Sequence, residues 1–296
     1  MAGCRDHFQN SSPSPPNEAL FFVLPYLPLF ELLAMSQVCK SLRYAVATDL
    51  LPWLEIVVCW PLNLRISDDI LAGIASRAGG KLKTLALIGC TRITDDGLLR
   101  VVAQNPSITK LLLPGCTRLS PAGVITAAKL LAGNSHKLTT LAINGIYDIQ
   151  RDDLDTLRSL IKPDNENQKT LYHKYKQSSL ILPSTDRAID VDVCPKCNQA
   201  RMVFDCPKTP CPKRQQFKCR GCETCTARCV ECGVCITASE EPEEAACNDT
   251  LCLDCWLQLP KCSFCNKPYC TQHADQQQNV AGSSGFLCDA CHAEFF

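Results

Sequence analysis

Apolar residues recur at steps of three and four through Leu29, Leu32, Leu33, Ser36, Cys39, Leu42 and Ala45, the spacing that lines one face of a helix. From Pro28 onward the chain therefore predicts an amphipathic helix with proline at its start. A shorter helix is expected before it, over Glu18 to Leu24, broken at Pro25 and joined to the next by Pro25-Tyr26-Leu27-Pro28. Such a hairpin carries too much apolar surface to stand alone.

Beyond the hairpin the pattern becomes periodic over a longer distance. Leu82-x-x-Leu85-x-Leu87-x-Gly89-Cys90 recurs as Ile108-x-x-Leu111-x-Leu113-x-Gly115-Cys116, offset by 26, and as Leu138-x-x-Leu141-x-Ile143-x-Gly145, offset by 30. Ile93, Leu119 and Ile149 keep one position in the repeat and Leu98, Val124 and Leu154 another, while a looser copy runs from Leu54 through Ile66-Ser67-Asp68-Asp69 to Leu71. This is the leucine-rich repeat pattern of strand, turn and helix, in which one unit cannot bury its apolar face and four stacked units share a core. Cys90 and Cys116 are expected as small buried hydrophobes. Asp95 and Asp96 read as helix-start residues, with Thr94-Asp95 and Ser67-Asp68 capping the amides that follow. Thr84, Lys110 and Thr140, then Ala86, Leu112 and Ala142, then Ile88, Pro114 and Asn144 would line the other face of the sheet. That set is small and apolar, so either a partner protein or the chain's own C-terminal region is expected to cover it.

The fold expected is multidomain: a flexible leader over 1–14, a helical hairpin over 15–47, a short α/β repeat solenoid over 48–162, a polar linker over 163–192 and a small irregular metal-stabilised domain over 193–296. The chain has 296 residues, 46% of them hydrophobic, with zero formal net charge, so no global field draws it to nucleic acid or lipid. The longest apolar run, Ala19 to Phe30, contains two prolines and falls short of the roughly 20 residues of a membrane span. No basic segment precedes it to make a signal peptide.

Cysteine changes the picture. Of 23 cysteines, 18 follow Asp192; in a chain without a secretion signal, dense C-x-x-C pairs point to metal in a reducing compartment, cytoplasm or nucleus. The pairs read as Cys194/Cys197, Cys206/Cys211, Cys219/Cys222, Cys225/Cys229, Cys232/Cys235, Cys252/Cys255, Cys262/Cys265, Cys270/His273 and Cys288/Cys291, with Cys247 and His292 left over. Two such pairs complete the tetrahedron that zinc prefers, so about four structural zinc ions are expected. Cys252, Cys255, Cys270 and His273 would hold one ion and Cys262, Cys265, Cys288 and Cys291 another in a cross-brace, sequential pairing being the alternative; Cys194, Cys197, Cys219 and Cys222 form a further candidate set. Each set already has four protein ligands, which argues against hydrolytic zinc catalysis. Lys196, Arg201, Lys208, Lys213, Arg214, Lys218, Arg220 and Arg228 crowd the first half of this region, either offsetting thiolate charge or forming a nucleic-acid patch with Phe204 and Phe217.

The order Pro16-x-Glu18-x-Leu20, Leu24-x-x-Leu27-Pro28, Leu32-Leu33 and Val38-Cys39-Lys40-x-x-Arg43 resembles an F-box, with Pro15 where a leucine is usual and Leu42 where a tryptophan is common. Followed by cysteine-bearing repeats, it is similar to the plant F-box and leucine-rich-repeat adaptors of the Skp-interacting type. The resemblance implies that Pro16, Leu20, Leu24, Leu27, Pro28, Leu32, Leu33, Val38 and Leu42 form or support a surface for a Skp-type linker and through it a cullin. It also implies that the rest of the chain presents a target protein and that the chain itself is not an enzyme. A cross-braced zinc domain acting directly as a ubiquitin ligase, and a zinc module binding nucleic acid, are the alternatives.

Overall fold

The computed structural model describes residues 17–134, 137–161, 170–173, 187–209, 211, 219–236, 242–279 and 285–295. The leader, Pro16, Lys213, Arg214, Phe217, Lys218 and most of the linker lie outside them. Helix α1 (Ala19–Val23) runs into a 3-10 turn over Leu24–Tyr26, and α2 (Leu29–Val38) and α3 (Lys40–Thr48) follow. The single helix expected from Pro28 onward is thus two helices. At Cys39 the backbone is extended, φ −153° and ψ 167°, and the break is bridged by Arg43, whose Nε donates to the Ser36 carbonyl at 3.1 Å. Trp53 closes the segment: it is fully buried and its Nε1 donates to the Val46 carbonyl at 2.9 Å.

Four strands then form one parallel sheet in chain order, β1 (Glu55–Val58), β2 (Thr84–Leu87), β3 (Lys110–Leu112) and β4 (Thr140–Ala142). Each is followed by a helix: α4 (Asp68–Ala75), α5 (Asp95–Gln104), α6 (Pro121–Ala132) and α7 (Arg151–Leu160). The register sets Ile56, Leu85, Leu111 and Leu141 side by side. They are buried with Leu82, Leu87, Ile108, Leu113, Leu138 and Ile143 in one core that also holds Leu24, Leu29, Leu32, Leu42 and Val46 of the helical segment. Cys90 and Cys116 sit in this core, the Cys116 thiol donating to the Leu87 carbonyl at 3.1 Å. After the last three strands the chain turns on a left-handed glycine, Gly89, Gly115 and Gly145. A Cβ on Gly145 would lie 3.1 Å from the Gly115 backbone, so the units stack there without room for a side chain.

The opposite face carries Val57, Ala86, Leu112 and Ala142 in one row, the last three buried. These three side chains are out of solvent within the chain alone. The open edge of β4 is also covered. Residues 188–190, expected within a linker, run parallel to it: Leu141 N–H donates to the Ala188 carbonyl at 2.7 Å, and the Asp190 carboxylate accepts from the amides of Ile143 at 2.8 Å and Asn144 at 3.1 Å. Burial pushes the Asp190 carboxyl up to about 6 against the pull of those two amides.

The aspartates at the helix starts bond to the next unit, and the expected cap at Ser67-Asp68 is not formed, Ser67 making no side-chain cap bond to α4. Asp68 accepts from the Thr94 amide at 3.0 Å and hydroxyl at 2.6 Å in the next unit, and Asp95 repeats this with Ser120 at 2.9 and 2.6 Å. Thr94 and Ser120 in turn accept from Gly97 and Gly123, and a Cβ on either glycine would overlap the incoming carboxylate. The ladder ends at Pro121, which occupies the equivalent position and has no carboxylate.

This geometry predicts a change of sign. Gly97→Ala should destabilise the wild type by about 2 kcal/mol, as should Asp68→Ala, yet in the Asp68→Ala background Gly97→Ala should be neutral or stabilising by up to about 1 kcal/mol, because alanine is the better helix former. Denaturant unfolding of the four proteins measures the cycle.

Candidate functional site: the helical segment and the cysteine clusters

The helical segment presents two apolar faces. Of the residues singled out from sequence, Leu24, Leu32 and Leu42 are buried in the chain's own core, Leu27 and Leu33 are half-buried against it, and Leu20, Pro28 and Val38 are exposed. The buried three can support a docking surface and cannot touch a partner. The side chains that do face outward are Phe22 (78% exposed), Tyr26 (84%), Phe30 (52%), Val38 (68%) and Tyr44 (72%), together with Val23. Phe22, Val23, Tyr26, Phe30 and Tyr44 were missed because helical periodicity marks the face that is buried, whereas large apolar side chains off that face are the signal of a second contact.

In the cysteine-rich region three local structures repeat. At Cys194–Cys197, Cys229–Cys232 and Cys262–Cys265 the first cysteine's carbonyl accepts from the amide of Asn198, Gly233 and Asn266 at 2.9, 2.9 and 3.0 Å. Each of those residues has positive φ, 60°, 74° and 58°. Each first cysteine also donates its own amide one residue further on, to Gln199, Val234 and Lys267. This knuckle turns both thiols to one side. A short antiparallel hairpin then leads to the second pair: β7 (Val203–Phe204) with β8 (Gly221–Cys222) to Cys222/Cys225, β9 (Glu243–Glu244) with β10 (Thr250–Leu251) to Cys252/Cys255, and β11 (Gln278–Asn279) with β12 (Phe286–Leu287) to Cys288/Cys291. The first knuckle is braced by β5 (Asp192–Val193) pairing with β6 (Ala200–Arg201). Helices α8 (Leu253–Gln258) and α9 (Asp289–Phe295) start at the last two pairs.

The ligand atoms of Cys194, Cys197, Cys222 and Cys225 lie within 4.8 Å of one another, as do those of Cys229, Cys232, Cys252 and Cys255 and those of Cys262, Cys265, Cys288 and Cys291. Between these sets, Cys206, Cys211 and Cys235 converge, with Cys219 packed in the same buried cluster. Cys247, Asp249, Cys270 and His273 also converge. One expected set, Cys262/Cys265 with Cys288/Cys291, is brought together. Two are rearranged: Cys225 replaces Cys219 beside Cys194 and Cys197, and Cys252/Cys255 meet Cys229/Cys232 while Cys270/His273 meet Cys247 and Asp249. Taken along the chain, each set encloses part of the next, so the five are interlocked.

The electrostatics of the clusters call for a cation. Backbone amides converge on the first thiol of two knuckles. Against the opposing effect of burial, the amides of Cys222, Cys197 and Lys196 bring Cys194 down to about 6, and those of Cys265, Cys288 and Phe264 do the same for Cys262. Cys229 falls to about 5, chiefly through the Cys232 thiol. Burial and the neighbouring sulfurs push Cys225, Cys255 and Cys291 up to about 12. One thiolate so close suppresses the next unless a positive ion joins them.

Arg228 supplies an independent test of fit. It is buried at 5% exposure, and its guanidinium donates to four backbone carbonyls, those of Phe204, Cys219, Asp205 and Gly233, at 2.7, 2.5, 3.2 and 3.4 Å, while Nε has no partner. Burial opposes its charge, and the thiols of Cys235, Cys206 and Cys219 offset that more than Asp205 does. A buried cation needs a counter-charge, and four thiolates on a divalent ion carry a net charge of −2. The donor set and the adjacent cation fit zinc.

The same occupancy weakens the nucleic-acid alternative. Lys196 donates to the Cys225 carbonyl, Arg201 is held by Gln199 and Thr224, and Arg220 pairs with Asp192 at 2.8 Å and Asp205 at 3.0 Å. Phe204 is buried edge-on against His173, where no base can stack. Asp192 also pairs with Arg158 of α7 at 2.7 Å, tying the region to the sheet. Among the described residues no helix is long and apolar enough to cross a membrane.

Comparison with known proteins follows the same division. The F-box domain family matches residues 16–54, through Trp53, and the family described as At3g27290 F-box protein C-terminal domain matches residues 190–264. The chain is 42% identical to F-box protein SKIP28 of Arabidopsis thaliana over 285 residues, covering 93% of this chain and 90% of the relative. It is 36% identical to F-box protein SKIP14 of the same plant over 82% of this chain and 55% of that protein. It is 35% identical to F-box protein At3g27290, also of Arabidopsis thaliana, over 76% of this chain and 61% of that protein. The chain belongs to the plant F-box protein family that includes SKIP28, and the helical segment from α1 to Trp53 is its F-box.

Proposed function

We propose that the chain is a non-catalytic adaptor of a Skp-cullin-F-box ubiquitin ligase in the cytoplasm or nucleus. Helices α1–α3 dock on a Skp-type linker and through it a cullin, while the strand–helix units, taken as leucine-rich repeats, and the cysteine-rich region present a target protein. The observation that carries the reading is the second apolar face of α2. Leu29 and Leu32 fill the chain's own core while Phe30 and Val38 of the same helix stand in water, as do Phe22 and Tyr26 of the preceding turns; a helix apolar on all sides is one that ends up buried. The SKIP names of two relatives support a Skp-type linker as the occupant. Because the row Ala86, Leu112 and Ala142 is covered within the chain, target contact falls to other surfaces. Zinc, held by the four thiolate clusters, supplies the crosslinks of a region with little apolar core.

The expected cross-brace is altered, because Cys252 and Cys255 meet Cys229 and Cys232, and an interleaved order of the last two clusters remains only with Cys247 and Asp249 in their place; a direct ligase reading would rest on that order. With activating and conjugating enzymes but no cullin, the intact chain is expected to form no ubiquitin conjugates; conjugates would favour that reading.

Aromatic anchors at an interface centre are worth about 2 kcal/mol or more each. Phe22→Ser with Phe30→Ser should therefore lower affinity for a Skp-type linker at least about a hundredfold without changing the melting temperature, measured by calorimetry and thermal unfolding; unchanged affinity contradicts the adaptor reading. Structural zinc contributes about 10–16 kcal/mol in small zinc-dependent peptides. Chelation should accordingly open the chain after residue 193 to protease while a fragment containing β1–β4 resists; a protected C-terminal third after verified metal removal contradicts the structural role.

A further inference from the structure

One convergent cluster is not built from sulfur alone. The Asp249 Oδ2 atom lies 3.3 Å from Cys247 Sγ, 3.1 Å from Cys270 Sγ and 3.0 Å from His273 Nδ1, and Cys270 Sγ is 3.2 Å from the same ring nitrogen. With metal–sulfur bonds of about 2.3 Å and metal–nitrogen or –oxygen bonds of about 2.0–2.2 Å, a tetrahedral site has donor–donor edges of about 3.3–3.8 Å. The observed separations are a few tenths of an ångström shorter, within reach of small side-chain shifts.

The backbone prepares this convergence on both sides. Asn248 takes a left-handed φ of 62°; its amide donates to the Ala245 carbonyl at 3.0 Å, and the Ala245 amide donates to that of Asp249 at 2.9 Å, which turns Cys247 and Asp249 the same way. The Ala246 amide donates to the Pro268 carbonyl at 2.7 Å, holding this turn against the segment that leads to Cys270. There the His273 amide closes on the Cys270 carbonyl at 3.0 Å. Glu231, inside the neighbouring knuckle, accepts from the Thr271 amide at 2.5 Å and hydroxyl at 2.8 Å, fixing where that turn begins.

We propose that Cys247, Asp249, Cys270 and His273 form a fifth metal site, which takes zinc through two thiolates, one imidazole nitrogen and one carboxylate oxygen and locks the second knuckle unit to the third. The site rests on the same reading of the four thiolate clusters as zinc centres, and differs from them in donor chemistry. Replacing two soft thiolates by imidazole and carboxylate weakens its hold on a borderline-soft ion, so it yields its zinc first to a competing chelator.

Native mass spectrometry and metal analysis of the intact chain are expected to find five zinc ions, with Asp249→Ala holding four. Titration of the metal-free wild type with cobalt(II) provides a measurement that needs no variant: one equivalent should add about half the thiolate-to-cobalt absorbance of each of the other four. A wild type saturating at four, an Asp249→Ala chain that keeps five, or five equivalents of equal thiolate absorbance would overturn the site while leaving the thiolate clusters standing. A wild type that binds no zinc would remove both readings, an outcome distinct from four.

Discussion

Helix α2 has apolar side chains on more sides than one chain covers, and that surplus governs the N-terminal part of the protein. Leu29 and Leu32 are committed inward, continuous with the core that runs through Trp53 and Ile56 to the inward leucines of the parallel sheet. The face proposed for docking is therefore carried on the same core as the strand–helix units. Its orientation is set by Arg43 across the Cys39 break and by Trp53 on the Val46 carbonyl, so the outward side chains Phe22, Tyr26, Phe30 and Val38 are held on a rigid support, and little ordering cost remains for an encounter.

The other end is held by a different kind of constraint. The hairpins of the cysteine-rich region are two residues per strand, too short for stability in water without a crosslink. Interlocking makes each cluster depend on its neighbours: Cys235 comes just after the second knuckle but belongs with Cys206 and Cys211, and Cys270 comes after the third but lies with Cys247. Arg228, buried with carbonyls on one side and thiols on the other, shows why part of the basic character of this region is structural. The ion pairs of Asp192 with Arg158 and Arg220, and the Asp190 carboxylate on the β4 edge, join this cysteine-rich region to the core of the parallel sheet.

Much of this was legible from residues alone. The offset of 26 between copies placed the inward positions correctly because burial of every third or second leucine is enforced by the strand. The repeated Ser/Thr-Asp pairs were read as local caps, and only the packing of neighbouring units at Gly97 and Gly123 shows that the carboxylates reach across. The extended break at Cys39 was hidden because apolar spacing continues through it. In the run Cys219, Cys222, Cys225, Cys229, Cys232, Cys235 two pairing registers satisfy the same spacing. What separates them is a residue able to take positive φ after the second cysteine, Gly233 after Cys232 as Asn198 follows Cys197 and Asn266 follows Cys265. Asp249 was invisible to a search for cysteine and histidine, although Asn248 between it and Cys247 carries the same turn signal.

The most direct test of the docking account is hydrogen–deuterium exchange of the intact chain with and without a Skp-type linker. The account predicts new protection over α1, the following turn and α2 with β1–β4 unchanged. Binding that leaves residues 19–38 unprotected, or that protects the sheet in their place, would contradict it.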